Sequence, residues 1–166
     1  MDTFGQHLLV EYHGCDTEIL NDSTRIETIM CKAAEAAQAT VVASTFHRFS
    51  PYGISGVVVV EESHLSIHTW PECGYVAVDF FTCGECTPER AHDFIRDKLS
   101  AQRSEVMVVH RGTFPPGPSM QIMRHYHEGD DDTPRPREGS AHSLPGQGGQ
   151  GGAGVSRIDE SPSREG

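Results

Sequence analysis

Between residues 41 and 82 the chain is dominated by β-branched and aromatic side chains, in four runs at 41–46, 57–61, 65–69 and 76–82. Runs of this kind read as strands. Short breaks such as Pro51-Tyr52-Gly53 and Pro71-Glu72-Cys73-Gly74 separate them. Breaks that short suit reversing turns, whereas a parallel pair needs a long crossover. A mainly antiparallel sheet is therefore the framework, and residues 8–12 and 106–110 supply further strand-like runs.

Two helices accompany the sheet. Ile26, Ile29, Met30, Ala33 and Ala37 recur at helical spacing, and Thr24 with Glu27 makes a capping box, so the first helix is predicted to run to about Ala39. The second is predicted to begin at Thr87-Pro88, with Thr as N-cap and Pro at the first helical position. Ala91, Phe94, Ile95 and Leu99 form its buried stripe. Two helices and five or six strands predict an α/β fold, a two-layer sandwich with the helices packed on one sheet face.

Composition changes near Gly129. Beyond it Leu144, Val155 and Ile158 are the only large aliphatics, while nine of the seventeen glycines lie from Gly129 onward. Such a segment cannot offset its ordering entropy by burial. The expected organisation is a folded domain over residues 1–128 and a disordered Gly/Pro-rich tail over 129–166. Gly146, Gly148 and Gly151 fit the dinucleotide pattern G-x-G-x-x-G, but no predicted strand precedes them and no helix follows, so they read as linker.

Charge narrows the partners. The formal net charge is −11 with no basic block, which argues against a general nucleic-acid binder and is compatible with a cationic small-molecule substrate. No stretch approaches the roughly 20 apolar residues of a membrane span. Five irregularly spaced cysteines and no signal-type apolar run point to reduced thiols and the cytoplasm.

Reactive side chains crowd between Phe46 and Cys86: His47, Ser55, Ser63, His64, His68, Trp70, Glu72, Cys83 and Cys86. A metal centre is the first reading to test. His64 and His68 lie on a strand-like run, so their rings would sit roughly 13 Å apart at about 3.3 Å per residue and could not share an ion. Cys83 and Cys86 form C-x-x-C without a partner pair. No metal is expected, and a non-enzymatic Cys/His metal-binding module stays as a distant alternative. A thioredoxin-type motif would place its helix start between the cysteines, whereas the cap signal follows Cys86. A serine hydrolase would need a G-x-S-x-G elbow around Ser63 or Ser55, and neither has one. For carbanion chemistry on an amino acid, pyridoxal phosphate requires a lysine. Only Lys32 and Lys98 exist, both on predicted helices and without a phosphate cradle. A carbonyl made from the chain itself is the route left.

Three blocks then carry a resemblance: STFHRFSPYGISG at 44–56, VVVVEESHLSIHTWPE at 57–72 and DFFTCGE at 79–85. With this order and spacing the chain resembles the prokaryotic S-adenosylmethionine decarboxylase family, of the short, pyruvoyl-dependent type, over about residues 4–111. The resemblance implies self-cleavage between Glu62 and Ser63, giving a β chain of 1–62 and an α chain from 63. The Ser63 hydroxyl would attack the Glu62 carbonyl, and His68 would remove the Ser63 α-proton. Elimination and hydrolysis would leave a covalent pyruvoyl group, the cofactor, at position 63. That ketone would form a Schiff base with S-adenosylmethionine and hold the electrons freed as carbon dioxide leaves. Cys83 would reprotonate the product and Ser55 would support processing. The resemblance further implies that Phe49 and Trp70 offer surface to adenine and Glu72 accepts from the ribose. It also implies that two αβ protomers form a dimer, a heterotetramer of chains, with both contributing to each site. The product would supply aminopropyl groups for spermidine. Arginine or ornithine as substrate, on the same fold, is the close alternative. Glu61 and Cys86 fall outside the family pattern and receive no role.

One geometric question follows. In an unbroken strand Ser63 and His68, five apart, face opposite ways. Either a bulge or turn intervenes, or the base acts from a neighbouring strand or subunit.

Overall fold

A computed structural model of the chain describes residues 4–61, 63–83, 85–112 and 120–129. Within them, seven strands form one sheet: β1 (Gly5–His13), β2 (Thr40–Arg48), β3 (Ile54–Glu61), β4 (Ser63–Trp70), β5 (Tyr75–Thr82), β6 (Arg103–Arg111) and β7 (Met120–Gly129). Their order is β2-β3-β4-β5-β1-β6-β7, and every neighbouring pair is antiparallel. The first strand in sequence thus lies inside the sheet, between β5 and β6. Three helices, α1 (Thr17–Leu20), α2 (Ser23–Ala36) and α3 (Pro88–Lys98), and a 3-10 turn at Pro71–Cys73 complete the described elements.

The period-two alternation of strand side chains sorts the sheet into two faces. Leu8, Val10 and Tyr12 of β1, Leu65 and Ile67 of β4, Val76, Val78 and Phe80 of β5, and Val106 and Val108 of β6 are buried in one core. Ile26, Ile29, Met30 and Ala33 of α2 and Ala91 and Ile95 of α3 complete it. Each large apolar side chain so buried contributes roughly 1.5–3 kcal/mol. The two-layer α/β sandwich predicted from the sequence is the observed architecture. The other sheet face carries no described helix and holds the polar partners of those strands.

Several boundaries differ from expectation. Asp22 caps α2, its Oδ1 accepting from Arg25 N at 3.0 Å. The Thr24–Glu27 capping box does not form, because Thr24 lies inside the helix and the Glu27 carboxylate accepts from Ser44 Oγ at 2.7 Å. α2 ends at Ala36, capped by Ala37, and Gln38 leaves the helical region with φ 67°. Asp16 caps the short α1, which has too few residues to develop an apolar period. Thr87 precedes Pro88 at the start of α3 as expected, but its side chain makes no capping hydrogen bond.

β7 is the larger surprise, since the predicted strands stop at residue 110. Its sequence MQIMRHYHEG lacks apolar–polar alternation because both faces meet charge. On the helix side Arg124 donates to Glu89 at 2.7 Å and Arg96 donates to Glu128 at 3.0 Å, and on the other His125 meets Glu105 at 2.6 Å. Gly129, assigned to the tail from composition, is the last residue of this strand, with φ 108°. The rest of the predicted tail, residues 130–166, lies outside the described residues, as does Glu62.

At the other edge, Phe46 of β2 faces Gly56 of β3 across the ladder, and any side chain at 56 would run into the Phe46 ring. Glycine there lets the ring lie flat over the neighbouring strand, which is how an edge strand with little else to bury is held.

Candidate active site

Ser63 opens β4. Val60 of β3 pairs directly with Ser63, so only two residues connect the strands and the Glu62–Ser63 bond falls in that hairpin connection. Ser63 Oγ is buried and, among the described residues, has no hydrogen-bond partner. A hydroxyl engaged elsewhere would be poorly placed to attack a carbonyl, whereas this one is uncommitted among the described residues. On the other side Ser63 pairs with Thr82, the last residue of β5, and the half-buried Cys83 follows immediately. Ser63 and Cys83 thus share one end of the sheet.

Ser55 and His68 form a second group. They are directly opposite on β3 and β4, and Ser55 Oγ lies 2.7 Å from His68 Nδ1. The His68 ring is 6.3 Å from that of Trp70, which in turn lies 5.0 Å from Tyr75. Trp70 is 40% exposed, and the exposed Glu72 follows in the 3-10 turn. Phe49, 48% exposed, stands just past β2, where its backbone N–H donates to Gly53 O at 2.8 Å and His47 meets its ring edge at 4.8 Å. Because Arg48 pairs with Ile54, Phe49 belongs to the same end of the sheet as Ser55 and His68.

These two groups do not meet within one chain. β4 pairs without a break from Ser63 to Trp70, with no bulge on either side. Ser63 therefore keeps the parity of the buried Leu65 and Ile67, and His68 that of Ser66 and Trp70 on the other face. Five residues of strand also separate them, roughly 17 Å. Of the two ways of answering the geometric question, the bulge is absent from β4.

Comparison with known proteins now bears on this arrangement. A family model described as S-adenosylmethionine decarboxylase matches residues 6–112. The S-adenosylmethionine decarboxylase proenzyme of Thermotoga maritima is 50% identical over 115 residues, 69% of this chain and 88% of the relative. That of Pyrococcus horikoshii is 49% identical over 113 residues, 68% of this chain and 81% of the relative. The chain belongs to the S-adenosylmethionine decarboxylase family. The solved adenosylmethionine decarboxylase from Aquifex aeolicus superposes on it with a TM-score of 0.63 at 34% identity, covering 71% of this chain and 98% of that one. The Trypanosoma brucei AdoMetDC monomer, at 15% identity and a TM-score of 0.50 over 63% of this chain and 45% of its own, shares the fold.

In this S-adenosylmethionine decarboxylase family member, the structure also exposes a polar cluster on the open sheet face that the sequence reading passed over. Asp79 of β5 lies 3.7 Å from His7 Nε2 and accepts from Ser66 Oγ at 2.9 Å. Arg111 reaches His7 Nδ1 at 3.1 Å and lies over the Phe81 ring at 4.6 Å. The neighbouring His7 imidazole, foremost, holds the Asp79 carboxyl below its ordinary value, against burial and with help from Ser66. Tyr75 donates to Glu11, and burial first, then that carboxylate, pushes its hydroxyl up to about 12. The signal was present in outline: Glu11 and Asp79 each interrupt an otherwise apolar strand. Cys15, by contrast, is a core residue whose thiol burial pushes up to about 12, which removes it as a nucleophile.

Proposed function

We propose that this chain cleaves itself between Glu62 and Ser63 into a β chain of 1–62 and an α chain from 63, and then decarboxylates S-adenosylmethionine. The observation that carries the reading is Ser63 Oγ, buried and without a partner among the described residues, at the head of a strand entered through a two-residue connection. Membership of a family whose curated relatives are named proenzymes supports it.

Processing begins at that oxygen. Its attack on the Glu62 carbonyl exchanges an amide for an ester, which is uphill unless the oxyanion is stabilised or the backbone strained. His68 then takes the Ser63 α-proton. Its Nδ1 is held by Ser55, which fixes the ring and leaves Nε2 for the transfer. Elimination would then release Glu62 as a carboxylate. Hydrolysis of the dehydroalanine left at position 63, with loss of ammonia, would give a pyruvoyl group that would supply an electron sink for the bond to carbon dioxide. Cys83, at the same end of the sheet, holds a proton on Sγ for return to the substrate carbon. Phe49 and Trp70 offer exposed aromatic faces for the adenine, and a sulfonium close to such a face gains about 0.5–2 kcal/mol. Glu72, exposed on the 3-10 turn beside Trp70, is the acceptor for ribose hydroxyls.

The two groups of residues become one site if His68, Ser55, Phe49, Trp70 and Glu72 of one protomer serve Ser63 and Cys83 of another. A two-fold pairing that sets opposite ends of the two sheets together would give a dimer of αβ protomers. Among the described residues no helix is long and apolar enough to cross a membrane. The free cysteines Cys15, Cys31, Cys73, Cys83 and Cys86 support a reducing compartment, the cytoplasm.

Intact-mass spectrometry tests the central claim. The full chain should yield a fragment 1–62 and a fragment from 63 with a blocked N-terminus, while Ser63→Ala stays whole. Labelled carbon dioxide should come from S-adenosylmethionine and not from arginine or ornithine. Wild-type protein that keeps its chain intact yet releases carbon dioxide would refute the mechanism.

A further inference from the structure

The region matched by the family model ends at residue 112, and β7 lies beyond it. β7 nevertheless brings two histidines onto the open sheet face, where they meet a carboxylate of β6. His125 and His127 are two apart on a strand, so both rings project on one side. Glu105 stands directly across from His127. Its Oε1 lies 2.6 Å from His125 Nε2 and its Oε2 3.9 Å from His127 Nδ1. The two imidazole rings are 5.2 Å apart, and one ligand atom from each of the three residues falls within 4.8 Å of the others.

We propose that Glu105, His125 and His127 form a binding site for a divalent transition-metal ion of the zinc type, clamping β7 to β6. Two imidazoles and a carboxylate, with no thiolate, suit zinc, nickel or copper rather than calcium or magnesium. Around a tetrahedral zinc with bonds of about 2.0–2.2 Å, ligand atoms stand about 3.4 Å apart. The present separations of 2.6 and 3.9 Å bracket that value, so small side-chain rotations close the set. All three side chains are more than two-fifths exposed, which gives an ion its path in and leaves the fourth position to water.

A second observation points the same way. Glu105 is also paired directly with Glu11 of β1, on the same face of the sheet. Two carboxylates directly opposed across a ladder repel. Tyr75 donates to Glu11 but adds no positive charge, so an ion held at Glu105 would face a second carboxylate across the ladder. H-x-H is a short signal, and on a segment without strand-like alternation it had no structural context to give it meaning.

The test uses the full-length, tag-free chain. Equilibrium dialysis against zinc should give one ion per chain, lost in His125→Ala and His127→Ala and weakened at least about tenfold in Glu105→Gln, tenfold being what loss of even an outer-shell partner costs. Because Cys83 and Cys86 could also take zinc, Cys86→Ser serves as the control and should bind like wild type. Cobalt in place of zinc should give d–d absorption without a thiolate charge-transfer band. Circular dichroism of each variant separates a lost ligand from a lost fold. Wild-type protein that takes up no zinc, binding that survives in folded His125→Ala and His127→Ala, or a thiolate band that vanishes in Cys86→Ser would each overturn the assignment.

Discussion

Asp79 ties the stability of the open sheet face to pH. Its carboxyl is held below the ordinary value of 3.8 chiefly by His7, so the unfolded chain binds a proton at Asp79 before the folded one does. The stability it contributes is therefore complete above that ordinary value and is lost as the pH falls through the lower, folded one. Asp79→Asn should flatten the dependence of the urea midpoint on pH below about 4 while leaving the curve above pH 5 parallel to wild type. Identical acid limbs in the two proteins would mean that the His7–Asp79 contact carries no such weight. The proton transfer proposed for His68 is argued at this scale as well. His68→Ala should slow the appearance of the two fragments about 10²- to 10⁴-fold, the usual worth of a positioned base, and mass spectrometry over hours reads this directly.

At the scale of elements, β7 depends on α3. Glu128 sits 3.0 Å from His92 Nε2 and accepts from Arg96, and the buried Tyr12 hydroxyl lies 2.8 Å from His92 Nδ1. The chain Tyr12–His92–Glu128 thus runs from the core to the sheet edge. Glu128→Ala leaves a buried imidazole nitrogen without its partner, a loss of about 1–3 kcal/mol. Thermal unfolding should fall by several degrees, whereas Arg96→Ala, which removes only a partly exposed pair, should cost under about 1 kcal/mol. This strand also marks where sequence reading ran out. β1, β3 to β6 and the helix stripe of Ala91, Ile95 and Leu99 were legible because burial on one face imposes a period on the residues, whereas the mostly exposed β2 was legible from its β-branched and aromatic side chains. β7 is held by ion pairs to both faces, and pairing across space leaves no period behind. The cap of α2 slipped from Thr24 to Asp22 for a related reason, as Glu27 was claimed by Ser44 on another element. At the candidate site, motif and spacing named the residues, but only the unbroken register of β4 separated Ser63 from His68.

At the scale of the whole molecule, that separation makes a prediction about assembly. If each site draws Ser63 from one protomer and His68 from the other, two defective chains should rescue one another. Co-expression of Ser63→Ala with His68→Ala should give cleavage of the His68→Ala chain alone, since it keeps its serine and borrows the base. Absence of cleavage in the mixed preparation, with both chains folded and associated, would confine each site to a single protomer.

The sheet order carries a last consequence. A cut after residue 62 would leave β1, β2 and β3 on one piece and β4 to β7 on the other, and β1 lies between β5 and β6. Neither piece could depart without stripping three ladders of main-chain hydrogen bonds, so the severed molecule would hold together. Its history, however, would be written into its kinetics. The precursor folds at a rate indifferent to dilution, whereas the mature protein, once denatured, must reassemble by collision and will recover more slowly the thinner the solution.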